Sequence, residues 1–177
     1  ALGANLHFTR LRGHGRDGPA MGEASAEAWM ADVAEALEVG RRLGERVVVL
    51  ATSTGGTLMA LVAEAGGIDD VAGVVLVSPN FAVNDPGAFL LEWPGARWWA
   101  PVLVGQERIL APRQPGQDAH WTLRYPFRSV FATVAAVKAA RDIDYGRLSL
   151  PALILTDPAD AVVVATATDA VAAQWGG

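Results

Sequence analysis

Arg46-Val-Val-Val-Leu-Ala-Thr-Ser53-Thr-Gly55-Gly56-Thr-Leu58 decides the reading of this chain. It opens as an apolar, β-branched run, passes through a lone serine, and goes on as a glycine pair followed by apolar residues at helical spacing. The first part has the composition of a buried strand, and the last part opens a helix. A serine between the two sits on a sharp turn, with its hydroxyl exposed and its backbone fixed. The amino end of the following helix offers unsatisfied N–H groups and a partial positive charge to an anion developing there. The pattern is that of a nucleophile elbow, G-x-S-x-G, with Ala51 in place of the first glycine. Alanine is small enough to keep strand and helix close. An ordinary strand–loop–helix connection has the same local pattern, so the rest of the chain must decide.

Composition narrows the field. The 177 residues make one domain with room for a real core. Half of them, 51%, are hydrophobic, and the formal net charge is −5, which speaks against a nucleic-acid surface. There is no cysteine, which excludes disulfides, thiolate metal sites and a cysteine nucleophile. No apolar run reaches the length of a membrane span, and the expectation is a cytoplasmic protein without stable membrane insertion; no signal peptide is visible, but in a chain that looks cut from a longer one that says little about targeting. The chain opens on Ala1-Leu2-Gly3, without methionine, as if cut from something longer.

Outward from the elbow, the elements alternate. Ala4-Asn-Leu-His-Phe-Thr9 has partial alternation at Leu6 and Phe8 and reads as a short strand, with His7 a packed side chain. Arg10-Leu-Arg-Gly13-His14-Gly15-Arg-Asp-Gly18 is a glycine-rich basic loop that lacks G-x-G-x-x-G and a Walker lysine, so phosphate binding is not favoured. Ser25 caps a helix through about Leu43, with Trp29, Val33 and Leu37 on its inner face and Gly44 as its stop. The run 46–52 predicts a strand buried on both faces, as in a parallel sheet. Residues 54–65 read as helix, ended by Gly66-Gly67, and 71–78 as a further buried strand. Residues 150–156 read as strand, Asp157-Pro-Ala-Asp160 as a turn, and 163–175 as helix. The order β-α-β-α-β, an insert, then β-α predicts an α/β fold with a doubly wound, mostly parallel sheet. Sites in such sheets lie at the carboxyl ends of the strands, where Ser53 and Asp160 both fall.

The insert, 81–148, is richer in proline and aromatic residues, with a helical pattern returning at 129–141. Trp93, Trp98, Trp99 and Trp121 lie in it. Its apolar stretch from Phe89 to Val104 either packs as a core of its own or lines an acyl pocket; core is the expectation for most of these tryptophans. Glu92 and Arg97 are too few charges for the polar face of an interfacial helix.

Three motifs now resemble one family. Leu11-Arg-Gly-His14-Gly is similar to the L-R-G-H-G loop after the fourth strand of α/β-hydrolases, Ala51-Thr-Ser53-Thr-Gly55 to their elbow, and Pro151-Ala-Leu-Ile-Leu-Thr-Asp157-Pro-Ala-Asp160-Ala-Val-Val to their seventh strand and acid turn. The closest resemblance is to capped serine esterases and monoacylglycerol-lipase-like hydrolases, which overlap with serine aminopeptidases. It implies a helical cap at 81–148, inserted before the penultimate strand. It also implies Ser53 as nucleophile, the backbone N–H of Thr54 as an oxyanion donor, and Asp160 as the acid of the triad, with Asp157 its rival. His14 is structural in this family. No cofactor or metal is implied, and the substrate is a small ester with an apolar acyl group.

The departures from the family pattern matter as much. The family's catalytic histidine follows the eighth strand, whereas this chain has no histidine after His120. A second oxyanion donor follows the third strand, which would lie before residue 1. The third strand also fills the lane beside the elbow strand. The economical expectation is an excerpt, 1–177, of a longer hydrolase core incomplete at both ends. His120, in the cap, is the only internal substitute for the base, and a cap or surface histidine is its default reading. Two alternatives stay open: a hydrolase of amide or peptide bonds, and a non-catalytic relative that binds a small ligand under its cap. For the ester reading, a p-nitrophenyl ester series is expected to favour medium acyl chains. A peak at acetate with loss by octanoate would contradict that lining.

Overall fold

Alternate residues of the elbow strand meet different surroundings, and that asymmetry organises the molecule. The computed structural model describes residues 3–112 and 114–177, so Ala1 and Leu2 of the opening tripeptide lie outside the described residues. A short helix α1 (Gly18–Met21) leads to α2 (Ala26–Leu43), then β1 (Val47–Thr52), α3 (Thr54–Glu64) and β2 (Val71–Val77). After these come α4 (Ala96–Val104), β3 (Glu107–Ile109), β4 (Arg124–Pro126), α5 (Val130–Ala140), β5 (Ala152–Leu155) and α6 (Ala165–Ala172). β1, β2 and β5 form a parallel sheet in that order, and β3 and β4 form a separate antiparallel ribbon.

The helix boundaries follow from local chemistry. Ser25 Oγ accepts from Ala28 N–H at 3.1 Å and caps α2, whose last turn carries Arg41 and Arg42 against the negative end of the helix dipole. Arg41 reaches Asp70 with two nitrogens, at 2.6 and 2.8 Å, and so ties the carboxyl end of α2 to the turn that enters β2. Leu37 of α2, Met59 and Ala63 of α3, Ala140 of α5 and Val171 of α6 share one buried cluster with Ala51, Val74 and Leu76 of the sheet. A second cluster joins Trp29 of α2 to Leu58 of α3 and Ala136 of α5. α5 therefore belongs to the layer that covers the sheet, although it lies in the inserted part of the sequence.

Two expectations require correction. The elbow strand is not buried on both faces: Val48 is 67% and Leu50 72% exposed, and Leu153 and Leu155 of β5 are exposed with them. The register pairs Leu50 with Val75 and Val75 with Leu153, so these residues share one face, and among the described residues no helix covers it. Ala4–Thr9 is not a strand. It has no regular structure, His7 is exposed rather than packed, and Leu6 and Phe8 face solvent. An extended segment gains little without a partner ladder, and none lies beside it among the described residues. No helix among those residues is long and apolar enough to cross a membrane.

The basic loop is packed rather than open. Trp29 Nε1 donates to Arg12 O at 2.9 Å, and the His14 ring lies 5.1 Å from that of Trp29. Gly13, at φ +84°, passes so close to α1 that a Cβ would come within 2.7 Å of Met21 Cα. Leu76, in the central strand, has no exposed surface. Leu76→Ala is expected to lower unfolding stability by about 2–5 kcal/mol in a urea titration, whereas Glu64→Ala on the exposed side of α3 should change it by less than about 0.5 kcal/mol.

Candidate active site

The parallel register sets the site's geometry before any side chain is considered. Thr52 pairs with Val77 and Val77 with Leu155, so the three strands end in one row. Ser53 N–H then donates to Val77 O at 3.0 Å and Ser78 N–H to Leu155 O at 2.8 Å, which extends the ladder one residue beyond each strand. Ser53 and the turn after β5 are two strand spacings apart, roughly 10 Å, with β2 between them.

Ser25 and Ser53 each precede a helix and behave differently. Ser25 has extended backbone, φ −142°, and its hydroxyl caps α2. Ser53 has φ +51° and ψ −123°, and its hydroxyl makes no capping bond to α3. A left-handed backbone at a residue other than glycine costs on the order of 1–3 kcal/mol and persists only where neighbours over-determine it. Here Ser53 O accepts from Gly56 N at 2.9 Å and from Asn80 N at 3.1 Å. In this conformation the hydroxyl makes no bond to the helix it would otherwise cap. Thr54 N–H, at the first helical position, has no intrahelical acceptor to turn to. Gly56 allows the close packing beneath: a Cβ there would lie 2.7 Å from Pro79 Cβ.

Both aspartates of the acid turn hold backbone. Asp157 is exposed, and its Oδ1 accepts from Ala159 N at 2.8 Å. Asp160 is half-buried, and its Oδ1 accepts from Val162 N at 2.7 Å and Val163 N at 3.0 Å. Its backbone carbonyl accepts from Asn84 Nδ2 at 3.1 Å. Of the two, Asp160 has the more restrained carboxylate. Sequence reading missed the segment that joins the two halves of the site. Residues 78–84 touch the elbow through Asn80 and the acid turn through Asn84, and Val83 bridges Val163. Ser78, with φ +42°, is a second strained serine beside the first. A Ser-Pro-Asn directly after a strand was the available signal, but nothing in it betrays a positive φ.

None of the three histidines hydrogen-bonds to Ser53 or Asp160. His7 is exposed in the irregular amino-terminal segment. His14 lies against Trp29, with Nδ1 buried and unpartnered among the described residues. His120 is exposed after a short 3-10 turn, and its carbonyl lies beside Gly15 of the basic loop. No three His, Asp or Glu side chains among the described residues converge as a metal site would need. The tryptophans depart from the core expectation: Trp93, Trp98 and Trp121 are more than half exposed. Trp93 and Trp98 flank a shallow hollow of about 210 Å³ that also borders Arg97 and Phe131. Trp93 ends one 3-10 turn, Trp98 lies in α4 and Trp121 follows a second turn, so the three come from separate elements of the insert.

A parallel sheet with a strained serine between strand and helix, and an aspartate turn two strands away, defines an α/β-hydrolase fold. The family model described as "Serine aminopeptidase, S33" matches residues 1–177, and the chain belongs to that family of hydrolases. No curated protein matches the chain. Solved structures do. One, reported with the metagenome-derived lipolytic enzymes LipS and LipT, superposes with a TM-score of 0.76 at 19% identity over 94% of this chain and 66% of its own. A monoacylglycerol lipase of Paleococcus ferrophilus gives 0.67 at 21% identity, covering 93% and 66%. A soluble variant of the Saccharomyces cerevisiae monoglyceride lipase, in complex with a substrate analogue, gives 0.69 at 12% identity, covering 95% and 64%. The chain thus spans just under two thirds of the length of these relatives.

Burial holds the His14 imidazole below its ordinary pKa of 6.5, against the raising effect of the Arg12 and Leu11 carbonyls and of Asp32. Below pH 6.5 the unfolded chain takes up a proton that the folded chain resists, so this contribution is complete above pH 6.5 and is lost as pH falls through the lowered folded value. Subtracting the urea-unfolding free energy of His14→Phe from that of the wild type should give a difference that is flat above about pH 7 and turns against the wild type below about pH 6. A difference that stays flat to pH 5 would remove the burial account.

Proposed function

We propose that this chain carries the nucleophile and acid of a serine hydrolase that cleaves carboxylic esters through an acyl-enzyme. The observation that carries the reading is the backbone of Ser53, whose positive φ withholds the hydroxyl from the helix cap. Ser53 Oγ attacks the acyl carbonyl, and the Thr54 N–H donates to the oxyanion that forms. A donor of this kind is worth about 10²–10³ in rate where the site excludes water. A serine hydroxyl needs a base at neutral pH. Asp160 orients that base and stabilises it once protonated, and the roughly 10 Å between the elbow and the acid turn accommodates an imidazole above β2. This reading needs an imidazole at that place, and among the described residues none of His7, His14 and His120 hydrogen-bonds to Ser53. Asp157, exposed and engaged in its own turn, is the weaker choice of acid.

The cap of this reading is the part of 81–148 that stands off the sheet layer, with α4 and the β3–β4 ribbon in it. Its exposed tryptophans favour an apolar acyl group. The relatives that are described as lipolytic or as monoacylglycerol lipases support esters over amides, while the acyl-transfer steps are the same for either bond. No cofactor enters these steps.

The test is covalent labelling of the full-length protein with a fluorophosphonate probe. The wild type is expected to label and Ser53→Ala to lose labelling entirely. Asp160→Asn is expected to slow labelling by about 10²-fold or more, and Asp157→Asn by less than about 3-fold. Equal labelling of wild type and Ser53→Ala would exclude Ser53 as the nucleophile. A folded wild type that labels with no probe at all would favour the ligand-binding alternative.

A further inference from the structure

Thr57 and Thr168 are both without exposed surface, and neither has a place in the chemistry described above. Thr57 is in the first turns of α3, four residues after Ser53. A threonine within a helix commonly turns its hydroxyl back to the carbonyl four residues earlier, which here is that of Ser53. Thr57 Oγ1 instead donates to Asn80 O at 2.6 Å. Asn80 N–H in turn donates to Ser53 O at 3.1 Å. Asn80 is thus gripped by its own carbonyl and returns the grip through its amide to the strained serine. Thr168, in α6, does the matching work on the other side, where its Oγ1 donates to Pro79 O at 3.1 Å. Beyond it, Val164 N–H donates to Ala82 O at 2.8 Å and Asn84 N–H to Val162 O at 2.9 Å. Residues 79–84 are therefore fastened to the elbow helix at one end and to the acid turn and its helix at the other. Asn80 itself is buried, its Oδ1 unpartnered among the described residues, so no side-chain bond of that oxygen shares the load.

We propose that Thr57 and Thr168 are positioning residues for Ser53, acting through Pro79 and Asn80. This rests on the reading of Ser53 as the nucleophile. The two hydroxyls fix the 79–84 segment against both halves of the site, and the Asn80 amide holds the Ser53 carbonyl where φ stays positive. Without the Thr57 hydroxyl, Asn80 loses the bond that registers it against α3, and Ser53 can relax toward an ordinary helix cap, its hydroxyl turned to the α3 amides.

The experiment measures the second-order rate of fluorophosphonate labelling, and kcat and KM on a p-nitrophenyl ester, in the full-length protein. Thr57→Val keeps the shape and removes the donor. It is expected to lower the labelling rate and kcat by about 10-fold or more with KM within about 2-fold, since a small misplacement of a reacting group is expensive in rate. Thr57→Ser, which restores the hydroxyl, is expected to recover the rate to within about 3-fold of wild type, and Thr168→Val to lose about 3-fold or more. Trp175→Phe serves as the structural comparison. It removes the 2.7 Å bond from Trp175 Nε1 to Leu150 O at the opposite end of β5, and should lower the Tm while leaving the labelling rate at the wild-type value. Where Thr57→Val does not fold, Thr57→Ser and Thr168→Val decide. Labelling retained in Ser53→Ala would remove the nucleophile reading and this proposal with it. Labelling that depends on Ser53 but runs at the wild-type rate in Thr57→Val, or in Thr168→Val when that variant decides, would overturn the positioning role alone.

Discussion

The register of three parallel strands governs this molecule. Because Thr52, Val77 and Leu155 lie in one row, everything that follows each strand emerges at a common edge. Parallel strands demand crossover connections, and here one crossover is the compact helix α3 while the other is the long excursion from β2 to β5. The first delivers a serine and a helix amino terminus to the edge; the second returns an aspartate turn to it. A slip of one residue in either pairing would send alternate side chains to the wrong face and move the serine off the end of its strand.

That edge is held under tension. Two serines, Ser53 and Ser78, have positive φ on adjacent strands, a combined cost on the order of a few kcal/mol. The opposing contribution comes from close packing beneath them: Pro79 against Gly56, Leu76 without exposed surface, and buried hydroxyls on backbone carbonyls. A buried carbonyl left without its donor loses on the order of 1–3 kcal/mol, so these bonds are of the size needed to keep the strain in place. The rigidity of the core and the uncapped backbone of Ser53 are thus two aspects of the same packing.

Sequence legibility followed the range of the interactions. α2 was readable from Ser25 and Gly44 because caps are local, and α3 from Gly66-Gly67 for the same reason. β1, β2 and β5 were readable as apolar runs, but whether a run is covered on one face or two depends on elements far away in the chain, and Val48 and Leu50 were misjudged on that account. Ala4–Thr9 had the composition of a strand and lacked the partner. The ribbon of Glu107–Ile109 and Arg124–Pro126 was missed because neither segment alternates, and its cross-strand pair Glu107–Arg124 appears only once the two are side by side. At the site, Ser53, Thr54 and Asp160 stood out through the shape of their motifs. Asn80, Asn84, Thr57 and Thr168 did not, because each bonds to backbone between 23 and 89 residues away, or to the elbow across a comparable span. The tryptophans were misplaced because hydrophobicity alone says nothing of which side of a surface a ring will occupy.

The excursion between Val77 and Ala152 has one more consequence. It is roughly four times as long as the link between Thr52 and Val71, yet closure entropy grows only with the logarithm of length, about 0.6 kcal/mol per doubling, so the extra length costs little more than ~1 kcal/mol. The two strands it separates are nonetheless neighbours, with a fixed register. Lengthening the exposed stretch between α4 and β4 therefore adds little to the cost of closing the excursion, whereas residues 79–84 and α5 are tied into the core and are not free to change. Variation confined to that exposed stretch leaves the folding of the sheet almost untouched, while a change at Ala136 or Ala140 of α5 reaches the buried clusters beneath it.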